Sequence, residues 1–247
     1  MRIFADYHTH TRYSHGKGTI EDNVLEARRK GLRELAITDH GPGHFMYGVA
    51  PKSLAKMRRE VDRLNGKYPD IRVLLGVEAN VISMDGRLDV DEHILSMLDI
   101  LLVGYHFGAL PATLRDGYNI HIKNLAGRWI KKIAEDVRGN NTRALVLAIE
   151  RYPVKIITHP GAKADIDTRV LARAAAARDV ALEINSSHGY MTVDYVKTAR
   201  EEGAKFVLGS DAHKPGRIGD VKAAAGIALR AGLSASDIIN VGEEDKE

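Results

Sequence analysis

His8-Thr9-His10 carries two imidazoles two positions apart, and Asp211-Ala212-His213 repeats that spacing with a carboxylate and an imidazole. On an extended strand, residues i and i+2 share a face, so each pair can reach one cation. Five further segments end in the same kind of residue: Thr38-Asp39-His40-Gly41, Gly76-Val77-Glu78-Ala79, Gly104-Tyr105-His106-Phe107, Thr158-His159-Pro160-Gly161 and Glu183-Ile184-Asn185-Ser186. Neutral imidazole is the commonest protein ligand for zinc and a good one for iron or manganese. Glu78 ends the apolar run Leu74-Leu75-Gly76-Val77. A buried carboxylate there is costly unless it is paired or holds metal; a salt bridge to an arginine is the plain alternative, and a bridge between two cations the functional one. Asp39 reads either as a turn cap or as a partner that orients a ligand imidazole. The chemistry these residues describe together is that of a multinuclear metal site.

Each of the seven segments is preceded by an apolar, mostly β-branched run. The strands expected are Ile3–His8, Glu34–Asp39, Arg72–Glu78, Ile100–His106, Val154–His159, Ala181–Asn185 and Lys205–Ser210. Helical patterns fall between and after them, at Thr19–Lys30, Pro51–Lys67, Asp91–Leu98, Asn119–Val137, Thr142–Arg151, Asp167–Arg178, Thr192–Glu202 and Asp220–Ala231. Near-continuous apolar strands alternating with helices predict a parallel sheet buried on both faces. Polar residues at every carboxyl end favour an α/β barrel, whose active site lies on that face. An open doubly wound sheet gathers its ligands at one switch point and would not use all seven ends. Thr19-Ile20-Glu21-Asp22 predicts a capping box, Pro51 a first helical turn, and Gly31 a helix end. The polar tail Gly242–Glu247 is expected to fray.

The chain has 247 residues, 44% of them hydrophobic, enough for one barrel over 1–247. With 36 basic and 33 acidic residues the net charge is +3, which calls for no nucleic-acid partner. There is no cysteine, so the ligands must be nitrogen and oxygen. Without a signal-peptide pattern or a long apolar run, the reading is a soluble, cytoplasmic protein with no membrane contact. Arg217, in the Gly-rich loop after Asp211-Ala212-His213, suits a phosphate oxygen or is simply an exposed charge. His44 and His188, just past the second and sixth strands, could line a pocket, whereas His93 and His121 read as solvated. His15, in the loop after the first strand, carries no signal by itself.

These ordered motifs, from His8 to about Gly219, resemble the PHP (polymerase and histidinol phosphatase) domain, and the chain is most similar to its small stand-alone bacterial phosphoesterases. The resemblance implies a distorted (β/α)7 TIM-like barrel with a trinuclear centre of zinc, iron or manganese. It implies one metal on His8, His10, Glu78 and Asp211, a second on Glu78, His106 and His159, and a third on His15, His40 and His213. The implied activity is hydrolysis of a small phosphate monoester, with hydroxide generated between two metals bridged by Glu78. The third metal and Arg217 would then offset charge on the phosphoryl group, and either a metal-bound water or His188 would serve the leaving group. No ligand is implied on the sixth strand, leaving Asn185 and its polar neighbours to position substrate or a water behind the ligands.

One departure is the 53 positions between His106 and His159. The extra length, about 108–140, is expected to be a lid, an interface in a homo-oligomer or a longer helix pair. It includes Trp129 and the basic run Arg128–Lys132. Three rival functions are weaker. An amidohydrolase-type barrel would place a lysine at a mid-barrel strand end, where this chain has Glu78 and His106. A nuclease acting on DNA ends would pair a cationic groove with aromatic platforms, but Lys123–Arg143 is interrupted by Glu135 and Asp136 and offers only Tyr118 and Trp129 nearby. A non-catalytic metal module would not need the full ligand set.

Overall fold

The computed structural model describes residues 1–242, so most of the tail expected to fray lies outside the described residues. Seven strands, β1 (Ala5–Asp6), β2 (Glu34–Ile37), β3 (Arg72–Asn80), β4 (Ile100–Gly104), β5 (Ile156–Ile157), β6 (Ala181–Asn185) and β7 (Lys205–Gly209), pair in chain order. Every pairing is parallel. The helices are α1 (Ile20–Arg29), α2 (Pro51–Lys67), α3 (Glu92–Leu95), α4 (Leu114–Gly117), α5 (Asn124–Gly127), α6 (Lys131–Arg151), α7 (Thr168–Ala177), α8 (Val193–Glu201) and α9 (Lys222–Arg230). A π-helical turn, Tyr118–Lys123, joins α4 to α5. The fold is a distorted, nearly closed (β/α)7 barrel, as the strand pattern predicts.

The ring closes between β7 and β1 by unusual means. Beyond the strand ends Thr9 bridges Ala212, with His10 N donating to Ala212 O at 2.9 Å. Lower down, buried Asn240 fills the seam. Its Nδ2 donates to Ala5 O at 2.9 Å and Leu208 O at 2.8 Å, and its Oδ1 accepts from Leu208 N at 3.0 Å. Asp6, also buried, accepts from Ser210 Oγ at 2.5 Å and Gly219 N at 2.8 Å.

Strand alternation divides the barrel interior into two levels. Ala5, Ala36, Leu74, Leu102, Ile156, Ala181 and Val207, one from each strand, form an apolar layer at the amino ends. Burial of a side chain such as Leu102 contributes roughly 1.5–3 kcal/mol. The opposite parity, including Leu35, Ile37, Val73, Leu75, Val77, Leu101 and Val103, packs outward against the helices. Two steps above Leu74 and Leu102 the inward positions become Gly76 and Gly104, and two steps further they are Glu78 and His106.

Three expectations need correcting. β1 and β5 are regular for two residues only, because their continuations leave the pleat to turn His8, His10 and His159 inward. The gap expected between helices at 138–141 does not exist. There α6 runs straight through, since Asn141 is buried and its Nδ2 donates to Asn124 Oδ1 and Asp165 O, while Thr142 Oγ1 donates to Arg138 O. The helical break falls instead at Arg128–Ile130, between α5 and α6. His121 is not solvated as expected: it is half-buried, with Nε2 at 2.9 Å from Ala109 O. Among the described residues, no helix is long and apolar enough to cross a membrane.

Candidate metal centre

Glu78 is the hub, fully buried on β3 with an imidazole or two on every side. Its Oε1 lies 2.9 Å from His159 Nε2 and 3.1 Å from His106 Nε2. Its Oε2 lies 3.0 Å from His40 Nδ1, 3.3 Å from His8 Nε2 and 3.7 Å from His10 Nε2. Asp211 Oδ1 closes the far side, 3.3 Å from His10 Nε2, 3.5 Å from His213 Nδ1 and 3.6 Å from His8 Nε2. The His15 ring sits 4.1 Å from that of His213 and 4.9 Å from that of His40. The structure thus brings all nine residues expected as ligands into one cluster.

Several of these atoms are close without bonding. His8 Nε2, both ring nitrogens of His10, His15 Nδ1, His40 Nδ1 and Glu78 Oε2 are buried and have no hydrogen-bond partner. Buried polar atoms are rarely left so. Here most of them lie in groups of three whose ligand atoms are close enough together to suit a metal ion. The donor sets that fit one ion each are His8, His10 and Asp211; His8, Glu78 and His159; His40, Glu78 and His106; and His10, His40 and His213. These sets differ from the implied partition. His40 joins Glu78 and His106, and His10 joins His40 and His213, where His15 was expected.

The backbone is strained where it delivers two of these side chains. Strand parity would point His159 outward with Ile157, but φ is +28° at His159, and at Asp211 it is +53°. Non-glycine residues rarely adopt such values, and they cluster at functional sites.

A second ring of polar groups aims the first. Glu183 Oε1 accepts from His8 Nδ1 at 2.8 Å, holding a proton on that nitrogen and directing Nε2 into the cluster. Glu183 Oε2 accepts from the strained His159 N at 2.8 Å and from Asn185 Nδ2 at 3.0 Å. Position 209 must be glycine, because a Cβ there would collide with Glu183 Oε1. Asn80 Oδ1 lies 2.8 Å from His106 Nδ1, and Asn80 is in turn held by Asp89. Asp39 does not orient an imidazole directly. Its carboxylate accepts from Thr11 N, Thr11 Oγ1 and Ser14 Oγ, and so shapes the loop that carries His10 and His15.

Protonation favours metal binding at some positions and opposes it at others. Burial holds His106 down at about 3 and His15 at about 4, so both are neutral imidazoles at pH 7. Burial would lower His8 too, but the carboxylates of Glu183, Glu78 and Asp211 outweigh it and hold His8 well above the ordinary histidine range. A cation at His8 Nε2 must therefore displace a proton. Burial would raise Glu78, yet the imidazoles of His106, His8 and His40 keep it well below the usual carboxylate range.

The remaining expected residues are placed differently. His188 lies at the mouth, its Nε2 3.5 Å from Asp211 Oδ2. His44 also lines the cleft. Asn185 does not face substrate: it is buried, its Nδ2 donating to Glu183 and Asp211 and its Oδ1 accepting from Ser187 N and His188 N. Arg217 is turned away in an ion pair with Asp220 at 2.6 Å, and the cation that reaches the cleft is Lys163. The sequence reading left Glu183 without an assigned role. Like Glu78, it is a carboxylate inside a buried apolar strand, Ala181-Leu182-Glu183-Ile184-Asn185.

The family profile described as PHP domain matches residues 6–187. A protein of Tolumonas auensis named "Probable phosphatase" is 32% identical over 97% of this chain and 90% of its own length. One of the same name from Shewanella sediminis is 33% identical over 99% of this chain and 92% of its own. In three dimensions the chain is similar to histidinol phosphate phosphatase of Lactococcus lactis, solved with zinc, L-histidinol and phosphate. The TM-score is 0.63 at 16% identity, covering 95% of each chain.

Proposed function

The chain belongs to the PHP domain family, and from that premise we propose that it is a metal-dependent phosphoesterase cleaving a small phosphate monoester at a three-metal centre. The observation that carries this reading is the set of buried, unpartnered ligand atoms around Glu78 and Asp211. The names of its relatives and the phosphate-bound neighbour point the same way.

Nine side chains would hold the ions: His8, His10, His15, His40, Glu78, His106, His159, Asp211 and His213. Divalent ions on them would supply the positive charge that activates water and neutralises a phosphoryl group. Zinc, manganese and iron all suit this donor set. Glu78 belongs to two of the donor sets and so links them. Glu183 and Asn80 orient His8 and His106. His44, His188 and Lys163 border the space left for substrate. Burial and the neighbouring His159 hold His188 below its ordinary range, so it enters at neutral pH as a neutral imidazole. That suits it to take a proton from water better than to give one to the leaving group. Lys163, and not Arg217, is the cation at the edge of this space.

The test is metal analysis of protein purified without chelator, followed by assay on a panel of phosphate esters. The expected result is three ions per chain and phosphatase activity that chelation removes and metal restores. Two ions per chain would sink the trinuclear assignment, and metal-replete protein inert on every ester would sink the phosphatase reading.

A further inference from the structure

Beside the metal cleft, whose volume is about 190 Å³, lies a larger cavity of about 390 Å³. The smaller space suits a phosphoryl group and little more, whereas the larger reaches the size of small-molecule sites, ~300–1,000 Å³. The two share their walls. Lys163 lines both. The loop after β5 gives His159 to the cleft and Pro160 to Ile166 to the cavity. The loop after β6 likewise gives His188 to the one and Tyr190 to the other. The long segment after β4 completes the cavity through Asn124, Gly127 and Arg128.

The boundary between the two spaces is cationic. Phe107, which lines the cleft, has Arg128 Cζ 5.4 Å and Lys163 Nζ 5.8 Å from its ring centroid. Among the described residues neither cation has a carboxylate within ion-pair distance, unlike Lys123, which pairs with Asp136. Asp165 is the one acidic side chain on the cavity wall. Two cations resting on a half-exposed aromatic ring keep their hydrogen-bond donors free for an anion. Tyr190 and Tyr195 give the rest of the wall an aromatic, hydrogen-bonding character.

We infer that this cavity is the leaving-group subsite, and that the substrate is a phosphate ester whose alcohol part carries a second anionic group, bound by Arg128 and Lys163. The inference rests on the phosphoesterase reading but concerns a surface outside the metal cluster. The segment 108–140 is then a specificity wall.

The experiment uses the metal-loaded full chain and calorimetric binding of phosphonates that cannot be hydrolysed. Carboxyalkyl phosphonates of increasing chain length are compared with alkyl phosphonates of the same length. At the length that spans cleft and cavity, the carboxylate should tighten binding about ten-fold, the gain from one charge-assisted contact. Arg128→Ala and Lys163→Ala should each erase most of that ratio, with the same bias appearing in KM for matched esters. No advantage at any length, or variants that weaken both ligand series equally, overturns the subsite. If phosphonates bind with the expected ratio but no ester is hydrolysed, the phosphoesterase reading falls and the anion subsite stands.

Discussion

The lower and upper halves of the barrel interior are built from the same strands and differ in everything else. Below, seven small or branched apolar side chains, one per strand, meet and exclude water. Above, the same inward-facing register carries Glu78, His106, Glu183 and Asp211, all buried, among imidazoles whose nitrogens are in part unpartnered. The lower layer contributes stability directly, through area removed from water. In the metal-free state the upper layer opposes it, because buried charges and unpartnered nitrogens cost free energy. One fold therefore separates the part that makes it stable from the part that makes it reactive by two to four residues along a strand.

Substitutions on either level can break or sharpen that contrast. Glu78→Ala should have the largest effect, a loss of at least about a thousand-fold in phosphatase kcat/KM, equivalent to roughly 4 kcal/mol of barrier. Circular dichroism should remain native, and metal analysis should show ions lost; substantial activity in this variant would end the proposed mechanism. Leu102→Ala, one strand over on the lower level, should do the reverse. It should cost about 2–5 kcal/mol in denaturant unfolding while leaving metal stoichiometry intact. Metal loss in that variant would show that the two levels are not separable. Glu183→Gln keeps one acceptor and removes the second, so it should weaken metal affinity about 10–100-fold, read by competition with a chromogenic chelator. An unchanged affinity would mean that the carboxylate is merely accommodated.

How far the sequence disclosed this follows the same division. Strand ends were legible because parity is local: His8 with His10, and Asp211 with His213, announce a shared face without knowledge of the fold. His15 had no such signal, and only the family resemblance pointed to it; in three dimensions it packs against His213 and Tyr47 without joining any of the donor sets. His159 stands at odds with parity, and its left-handed backbone is a tertiary effect that no spacing rule contains. The Gly139-Asn140-Asn141 run looked like a helix break because those residues favour turns. Contacts from Asn141 to Asn124 and Asp165 override that preference. Arg217 and Asn185 had the right chemistry for phosphate, but nearby Asp220, Glu183 and Asp211 already occupy them. Lys163 and Phe107 could not be picked out, since nothing local marks a lysine in an Ala/Asp-rich loop as the one that faces a cleft.

The seam at Asn240 has a consequence for how the molecule is made. Its bond to Ala5 spans 235 positions, and the first and last strands have no direct substitute for it at that level. Six strands and most helices can assemble progressively as they emerge from the ribosome, each pairing with its predecessor. Closure at this level must wait for residue 240, whereas Thr9 with Ala212 and Asp6 with Ser210 can join the same edges once residue 212 is made, and either closure carries the loop-closure entropy of most of the sequence. Until then the nascent chain presents an open sheet with two free edges, a form prone to aberrant strand pairing. The amide of a single asparagine thus acts as a late clasp on the lower level of a ring whose upper level Thr9 and Ala212 can already have joined.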